Sequence, residues 1–349
     1  MRKLATIRKI DQIKPIPGAD AIECAVVGGW TVVVKKSEFQ AGQMAVYLEI
    51  DSWVPTELAP FLSKGSEPRE FNGVKGERLR TAKLRGQVSQ GLLIPISAVY
   101  GKIEPIDIQE GRDIGDLLGI QKWEAPVPAQ LAGQVRGTFP SFISKTDQER
   151  IQNLTGELAV WSANKAFTWE ITEKLDGSSM TVYVNGGDEG VCSRNLNLKQ
   201  DETNSFWRVA TGGGLIQKIR STGRNLALQG ELIGEGIQGN PYGIRGQEFH
   251  LFDIYDIDRS DYLSPAERRS VAESLGIKHV PLIAVEHVID GVGHLASILG
   301  TGVEGLLKMA EGKSFLNGKT EREGLVFKCN TFGGPTFKAI SNKFLLGQG

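Results

Sequence analysis

Thr168-Trp169-Glu170-Ile171-Thr172-Glu173 leads directly into Lys174-Leu175-Asp176-Gly177. The first six residues read as a strand and the Asp-Gly pair as the turn that ends it. A lysine at that junction is held at a sheet edge. Lysine is ordinarily a hydrated ammonium and a poor nucleophile, and becomes a good one where burial or a neighbouring cation lowers its pKa. Gly177 lets a phosphate or a backbone come close. Alone, the K-x-D-G pattern is weak. Average composition yields it in roughly one chain in ten of this size, and the bland reading is a solvated turn lysine.

The surroundings of this stretch are strand-rich. Ser179 to Val184 and Gly190 to Ser193 predict a hairpin over Asn185-Gly186-Gly187, and Leu226 to Ile233, Glu248 to Tyr255, Gly324 to Cys329 and Phe337 to Ile340 predict further strands. Helices are expected over Asn204 to Ile219, across three glycines, from the Ser264-Pro265-Ala266-Glu267 capping box to about Ser274, and over Leu295 to Met309. Strands and helices mix without a βαβ rhythm, which indicates an α+β domain.

Within it, companions to Lys174 appear. Gly230-Glu231-Leu232 ends a strand with a lone carboxylate. Glu323 opens a strand that Lys328 closes, Phe337-Lys338 adds a lysine, and Phe249-His250-Leu251-Phe252-Asp253 carries aromatics. With Asp176 these make three carboxylates, three lysines and an aromatic wall. Nucleotidyl transfer needs that set: carboxylates hold Mg²⁺ directly or through its waters, lysines neutralise charge building on phosphorus, and an aromatic face stacks a base.

The first hundred residues read differently. Ile22 to Val27, Thr31 to Val34, Met44 to Ile50, Leu79 to Leu84 and Gly91 to Ile96 predict short strands, and five in this length suggest an all-β OB-fold, with another small barrel as the alternative. Lys35, Lys36, Lys75, Arg78, Arg80, Lys83 and Arg85 cluster there with Trp30, Trp53 and Phe71. Cations with aromatic faces suit nucleic acid, while solvated strand edges over core aromatics explain the same residues. The expected division is an OB-fold-like domain at 1–102, a connector at 103–157 with a short helix over Ile114 to Leu118, and a second domain at 158–349. Near the end of the connector, Lys145 to Asn153 predicts a helix start capped by Thr146 or Asp147.

Composition excludes several classes. The 349 residues carry 40 basic and 41 acidic side chains, for a net charge of −1, so any nucleic-acid affinity must be local. Cys24, Cys192 and Cys329 are too few and too scattered for a disulfide framework or a zinc site, and His250, His279, His287 and His294 lack metal-ligand spacing. No signal peptide or bilayer-length apolar run occurs, and an intracellular, cytoplasmic monomer is expected.

Taken in order, the blocks from Lys174 to Ser341 resemble motifs I, Ia, III, IV and V of the covalent nucleotidyltransferases, the ligases and RNA capping enzymes. Lys174 to Gly177 matches motif I, Ser193-Arg194-Asn195 motif Ia, Phe249 to Ile254 motif III, Glu323 to Lys328 motif IV and Phe337 to Ser341 motif V. A barrel-like domain ahead of motif I, with almost nothing after motif V, is similar to the RNA ligase 5 family, the Deinococcus-type RNA ligases, as is the Lys145 to Asn153 segment.

The resemblance implies ATP-dependent sealing of 3′-OH/5′-phosphate breaks through lysyl-AMP and AppN intermediates, at nicks in a duplex whose 3′-OH strand is RNA. Lys174 would be the nucleophile, with Lys328 and Lys338 on the α-phosphate. Asp176, Glu231 and Glu323 would hold the waters of Mg²⁺ or Mn²⁺. Arg194 would contact phosphate or ribose, and Phe249 would stack on adenine, with Phe252 as rival. Glu173 would help to place the base, and Lys145 and Arg150 would meet the leaving pyrophosphate. One departure stands out: many relatives carry a second motif V lysine where this chain has Ile340. The rival readings are a DNA ligase, a GTP-using capping enzyme, or an inactive nucleic-acid-binding protein.

Overall fold

β-Branched and aromatic residues bounded by glycine turns form 26 strands among the described residues. The computed structural model describes residues 2–124, 133–164, 166–286, 288–289, 293–294, 299–331 and 333–347. Pro126, Pro128, His287 and the start of the expected 295–309 helix lie outside them. The chain divides into two units: Met1–Pro126 with Gln152–Thr155 and Leu345–Gly349, and Val127–Ile151 with Gly156–Phe344.

The first unit is all-β with short 3-10 turns. One of its sheets runs Ala5–Lys9, Met44–Leu48, Leu92–Pro95, and another Gln12–Pro15, Ile22–Val27, Trp30–Lys35. Trp30 and Trp53 are buried at 1% and 3% exposure, so these two rings are core and offer no platform to a base. The Trp30 indole donates to Asn153 Oδ1 at 2.7 Å, and Asn153 Nδ2 donates to Glu49 Oε2 at 3.0 Å. These bonds tie the 152–155 segment into the unit. No helix forms over Ile114 to Leu118; a single turn, Leu118 N–H to Ile114 O at 3.2 Å, stands there instead.

The second unit holds two seven-stranded sheets. One runs Val135–Thr138, Leu196–Leu198, Asp188–Cys192, Ser178–Asn185, Leu226–Gly234, Gln247–Asp256, Asp261–Tyr262. The other runs Glu149–Arg150, Thr336–Ile340, Gly324–Cys329, Trp169–Lys174, Leu282–Glu286, Val288–Ile289, Gly293–His294. All pairings are antiparallel except that of Glu149–Arg150 with Phe337 and Lys338. Part of the expected connector is thus woven into these sheets as strands 135–138 and 149–150. The first sheet buries one face under the helices Ser205–Gly212, Leu215–Ser221 and Pro265–Ser274.

Two further helix expectations are corrected. Gly214, at φ +60°, breaks the predicted 204–219 helix in two. Thr146 and Asp147 cap nothing, because the chain is irregular at 144–148 and extended at 149–150, a 3-10 turn follows at Ile151–Asn153, and an α-helix starts only at Thr155. Ser264 does cap its helix, accepting the Glu267 N–H at 3.2 Å.

Candidate active site

Lys174 ends its strand level with Gly324 of the neighbouring strand, so Glu323 lies beside it. Its Nζ donates to Glu323 Oε2 at 2.7 Å, with the two side chains 29% and 15% exposed. Gly177 explains why the turn sits where it does. A Cβ there would lie 2.5 Å from Leu232 O and 2.8 Å from Glu231 Cγ, so only glycine lets the Asp176-Gly177 turn rest on the strand that carries Glu231. The Asp176 N–H donates to Tyr242 Oη at 2.6 Å, which fixes the turn from the other side.

One ammonium therefore faces three carboxylates. Burial alone would lower the Lys174 pKa, but Glu323, Glu231 and Asp176 outweigh it and hold the group above the usual lysine range. Burial pushes Glu231 up to about 8, with Glu323 and Asp176 repelling it further against the pull of Lys174. Burial and Glu323 raise Asp176 to about 6. Among the described residues no group of three or more His, Cys, Asp or Glu side chains is placed to hold a metal ion by itself. The expected metal carboxylates surround the lysine instead of closing on a common point.

Alternation puts Glu170, Thr172 and Lys174 on one strand face. Lys328 lies level with Glu170, and Lys338 is level with Val326, itself level with Thr172. Lys174, Lys338 and Lys328 thus climb one sheet face in steps of two residues, about 7 Å each. Lys338 is 14% exposed and donates to Asp147 Oδ1 at 3.1 Å. Burial lowers its pKa to about 8, Arg150 and Lys174 adding to the fall and Asp147 opposing it. Asp147 also meets Arg194 at 3.6 Å. Lys145 donates to Asn195 Oδ1 at 2.9 Å, so the 145–150 segment, motif Ia and motif V meet at one place.

Lys328 is held deeper. Its Nζ donates to Asp253 Oδ1 at 2.6 Å and to Phe252 O at 2.8 Å, which joins the two sheets. Burial lowers its pKa despite Asp253. Behind it, buried Glu170 accepts from both Arg268 and Arg269.

Phe249, expected to stack on a base, lies in the core. It is 6% exposed, packs in the core cluster with Met180 and Leu232, and covers Gly230, where a Cβ would lie 2.4 Å from its ring. It stands level with Leu232, and Glu231 is level with His250, so Phe249 and Glu231 occupy opposite sheet faces. Phe252 packs beside Leu175, Tyr242 and Val280, next to the lysine turn. Glu173 is 1% exposed; its Oε2 accepts the Phe315 N–H at 2.8 Å, and its Oε1 has no hydrogen-bond partner. Tyr242, Asp147 and Arg268 escaped the sequence reading, because each meets its site partner across scores of residues.

The geometry agrees with what known proteins show. The sequence pattern of the RNA ligase family matches residues 167–340, and an OB-fold domain pattern matches residues 4–96. No curated protein sequence matches the chain. Among solved structures, a variant of Naegleria gruberi RNA ligase with AMP and Mn is 47% identical, with a TM-score of 0.86, covering 99% of this chain and 98% of that one. Another variant with ATP and Mn, also 47% identical at TM-score 0.86, covers 98% of each chain, and the ligase with PPi covers 99% and 98% at the same identity and score. No helix among the described residues is long and apolar enough to cross a membrane. The chain belongs to the RNA ligase family.

Proposed function

We propose that this RNA ligase is of the RNA ligase 5 type, uses ATP, and seals 3′-OH/5′-phosphate breaks at nicks in a duplex whose 3′-OH strand is RNA. The observation that carries the reading is Lys174 at a strand end with Glu323 at 2.7 Å and two further carboxylates acting on it. Lys174 Nζ attacks the α-phosphorus, the bond to the β-phosphate oxygen breaks, and pyrophosphate leaves. AMP then passes from the lysine to the 5′-phosphate, and the 3′-OH attacks that phosphorus to expel AMP. Lys338 is the α-phosphate contact nearest the nucleophile, and Lys328 the further one. Arg194 supports a phosphate or ribose, and Lys145 and Arg150 the pyrophosphate side. Phe252 takes the stacking role, with the free acceptor Glu173 Oε1 offered to an adenine amine.

The residues fit a divalent cation, because three carboxylates face a single ammonium and two of them are held above their ordinary pKa by burial and then by their mutual repulsion. Asp176, Glu231 and Glu323 would hold it through its waters, consistent with the Mn in the related ligase. When bound, it supplies positive charge that offsets the carboxylates and so favours neutral Lys174.

The test is incubation of the full chain with α-labelled ATP or GTP and Mn²⁺ or Mg²⁺, followed by sealing of nicks with RNA or DNA on each side. A covalent label from ATP, absent in Lys174→Ala, is expected. Label from GTP alone would sink the reading, as would an ATP-derived adduct that survives in Lys174→Ala.

A further inference from the structure

Arg268 lies in none of the ligase motifs, yet its side chain is 0% exposed and touches three groups behind Lys328. Its Nη2 donates to Glu170, and its Nε donates to His279 Nε2 at 3.1 Å. An arginine Nε–H can only donate, so His279 Nε2 must accept and the ring is neutral, its Nδ1–H donating to Val280 O at 2.7 Å. Burial and Arg268 keep it so, at a pKa of about 4. With two of its three nitrogens committed, the rigid guanidinium points the third at Asp253. That Nη1 has no hydrogen-bond partner and stands 3.6 Å from Asp253 Oδ1, about 0.7 Å beyond an ordinary hydrogen bond.

Asp253 is at present bound tightly by Lys328, at 2.6 Å. A lysine neutralised in this way cannot give its full charge to a phosphate. Nor can it leave, because Asp253 is 5% exposed and a buried carboxylate without a partner is costly. An uncommitted N–H of Arg268 just out of range removes the difficulty. We propose that Arg268 is a positioning residue for nucleotidyl transfer: it is the second partner that takes over Asp253 when Lys328 turns to the phosphates of a bound nucleotide. The inference rests on the ATP reading of this site. Lysine cannot replace it, since a point charge on a flexible stem does not reach Glu170, His279 and Asp253 at fixed angles.

A merely structural Arg268, neutralising Glu170, would keep that role as a lysine, whereas the hand-over needs the rigid fork, and a double-mutant cycle ties the loss of the fork to Lys328. In the full chain carrying Lys174→Met, so that ATP binds without reacting, ATP affinity with Mn²⁺ is measured by calorimetry for Arg268→Lys, Lys328→Ala and both together. Each single change is expected to weaken binding roughly ten-fold, the loss of one charge-assisted hydrogen bond, and the pair to bind no more than about two-fold worse than Lys328→Ala alone. Additive losses, or an unchanged affinity in Arg268→Lys, overturn the proposal. If melting shows Arg268→Lys unfolded, His279→Leu, which removes the acceptor that orients the guanidinium, replaces it in the cycle. A smaller loss that vanishes with Lys328→Ala is then expected, and an additive or absent loss refutes. A parent that binds no ATP overturns the ATP reading itself and this inference with it, an outcome distinct from bound ATP with additive losses.

Discussion

Lys338 is the most exacting test of the site's electrostatics, because it couples stability to pH. Its ordinary pKa of 10.5 falls to about 8, chiefly through burial, with Arg150 and Lys174 contributing. Below pH 8 the folded protein carries a buried ammonium whose charge is less well supported than in the unfolded chain. Between pH 8 and 10.5 the folded state releases that proton while the unfolded state keeps it, so stability rises with pH across this window. At 1.36 kcal/mol per pKa unit, the fall from 10.5 to about 8 costs about 3 kcal/mol below pH 8. Little of this is screened, since the side chain is 14% exposed. Lys338→Met should therefore melt a few degrees above the parent at pH 7, with an advantage that shrinks from pH 8 and is gone by about pH 10.5. Asp147, which loses Lys338, keeps Arg194 at 3.6 Å. The same change should abolish lysine adenylylation. A phosphate beside Lys338 should restore its proton, so ATP binding at pH 8.5 should take up a proton in the parent and none in the variant, read by calorimetry in buffers of different ionisation heat. A Lys338→Met protein less stable than the parent at pH 7, or a stability difference that does not shrink above pH 8, would refute the reasoning.

Gly177→Ala places a Cβ 2.5 Å from Leu232 O and 2.8 Å from Glu231 Cγ; it should cost about 1–3 kcal/mol and depress adduct formation, measured by melting and by labelled ATP. Phe249→Ala should cost about 3–5 kcal/mol of stability while the folded fraction binds ATP as before. Phe252→Ala should do the reverse, weakening ATP binding several-fold with a smaller loss in melting temperature, as loss of a stacking face requires. Equal effects of the two phenylalanine changes on ATP affinity would reject the assignment of opposite faces.

Much of the catalytic strand framework was legible because it depends on local pattern. The run into Lys174, the Gly186-Gly187 hairpin and the strand that opens after Glu323 are set by residue types within a few positions of each other. The core position of Phe249 was not legible, for a reason of parity. Phe249 and Phe252 are three apart, so a regular strand sends them to opposite faces, and the bulge at Gln229/Gly230 shifts the register between them. Gly230 held the answer: the missing Cβ is the space that Phe249 fills. The 145–150 segment misled for another reason. Asp147 has the residue type of a helix cap, but its carboxylate serves Lys338 and Arg194, which lie 191 and 47 positions along the chain. Arg268 lies on a helix whose start the capping box marks, but its burial against Glu170 and Asp253 depends on strands far along the chain.

The charges on the sheet face are sorted, and the order bears on mechanism. At the Lys174 end three carboxylates meet one lysine, an arrangement that attracts a cation and, without one, keeps Lys174 protonated. Four residues along, Lys328, Arg268 and Arg269 outnumber Glu170 and Asp253, an arrangement that attracts anions. Lys338 stands between them with its pKa lowered to about 8, so that above this pH it can gain charge when a phosphate arrives. A nucleotide with its cation would be oriented by this gradient before any contact forms, the metal toward the carboxylates and phosphate toward the cations. On the proposed reading, Ile340 in place of a second lysine would not leave the phosphates without a counter-charge, because Lys338 stands two residues and Lys328 four residues along the same sheet face from Lys174.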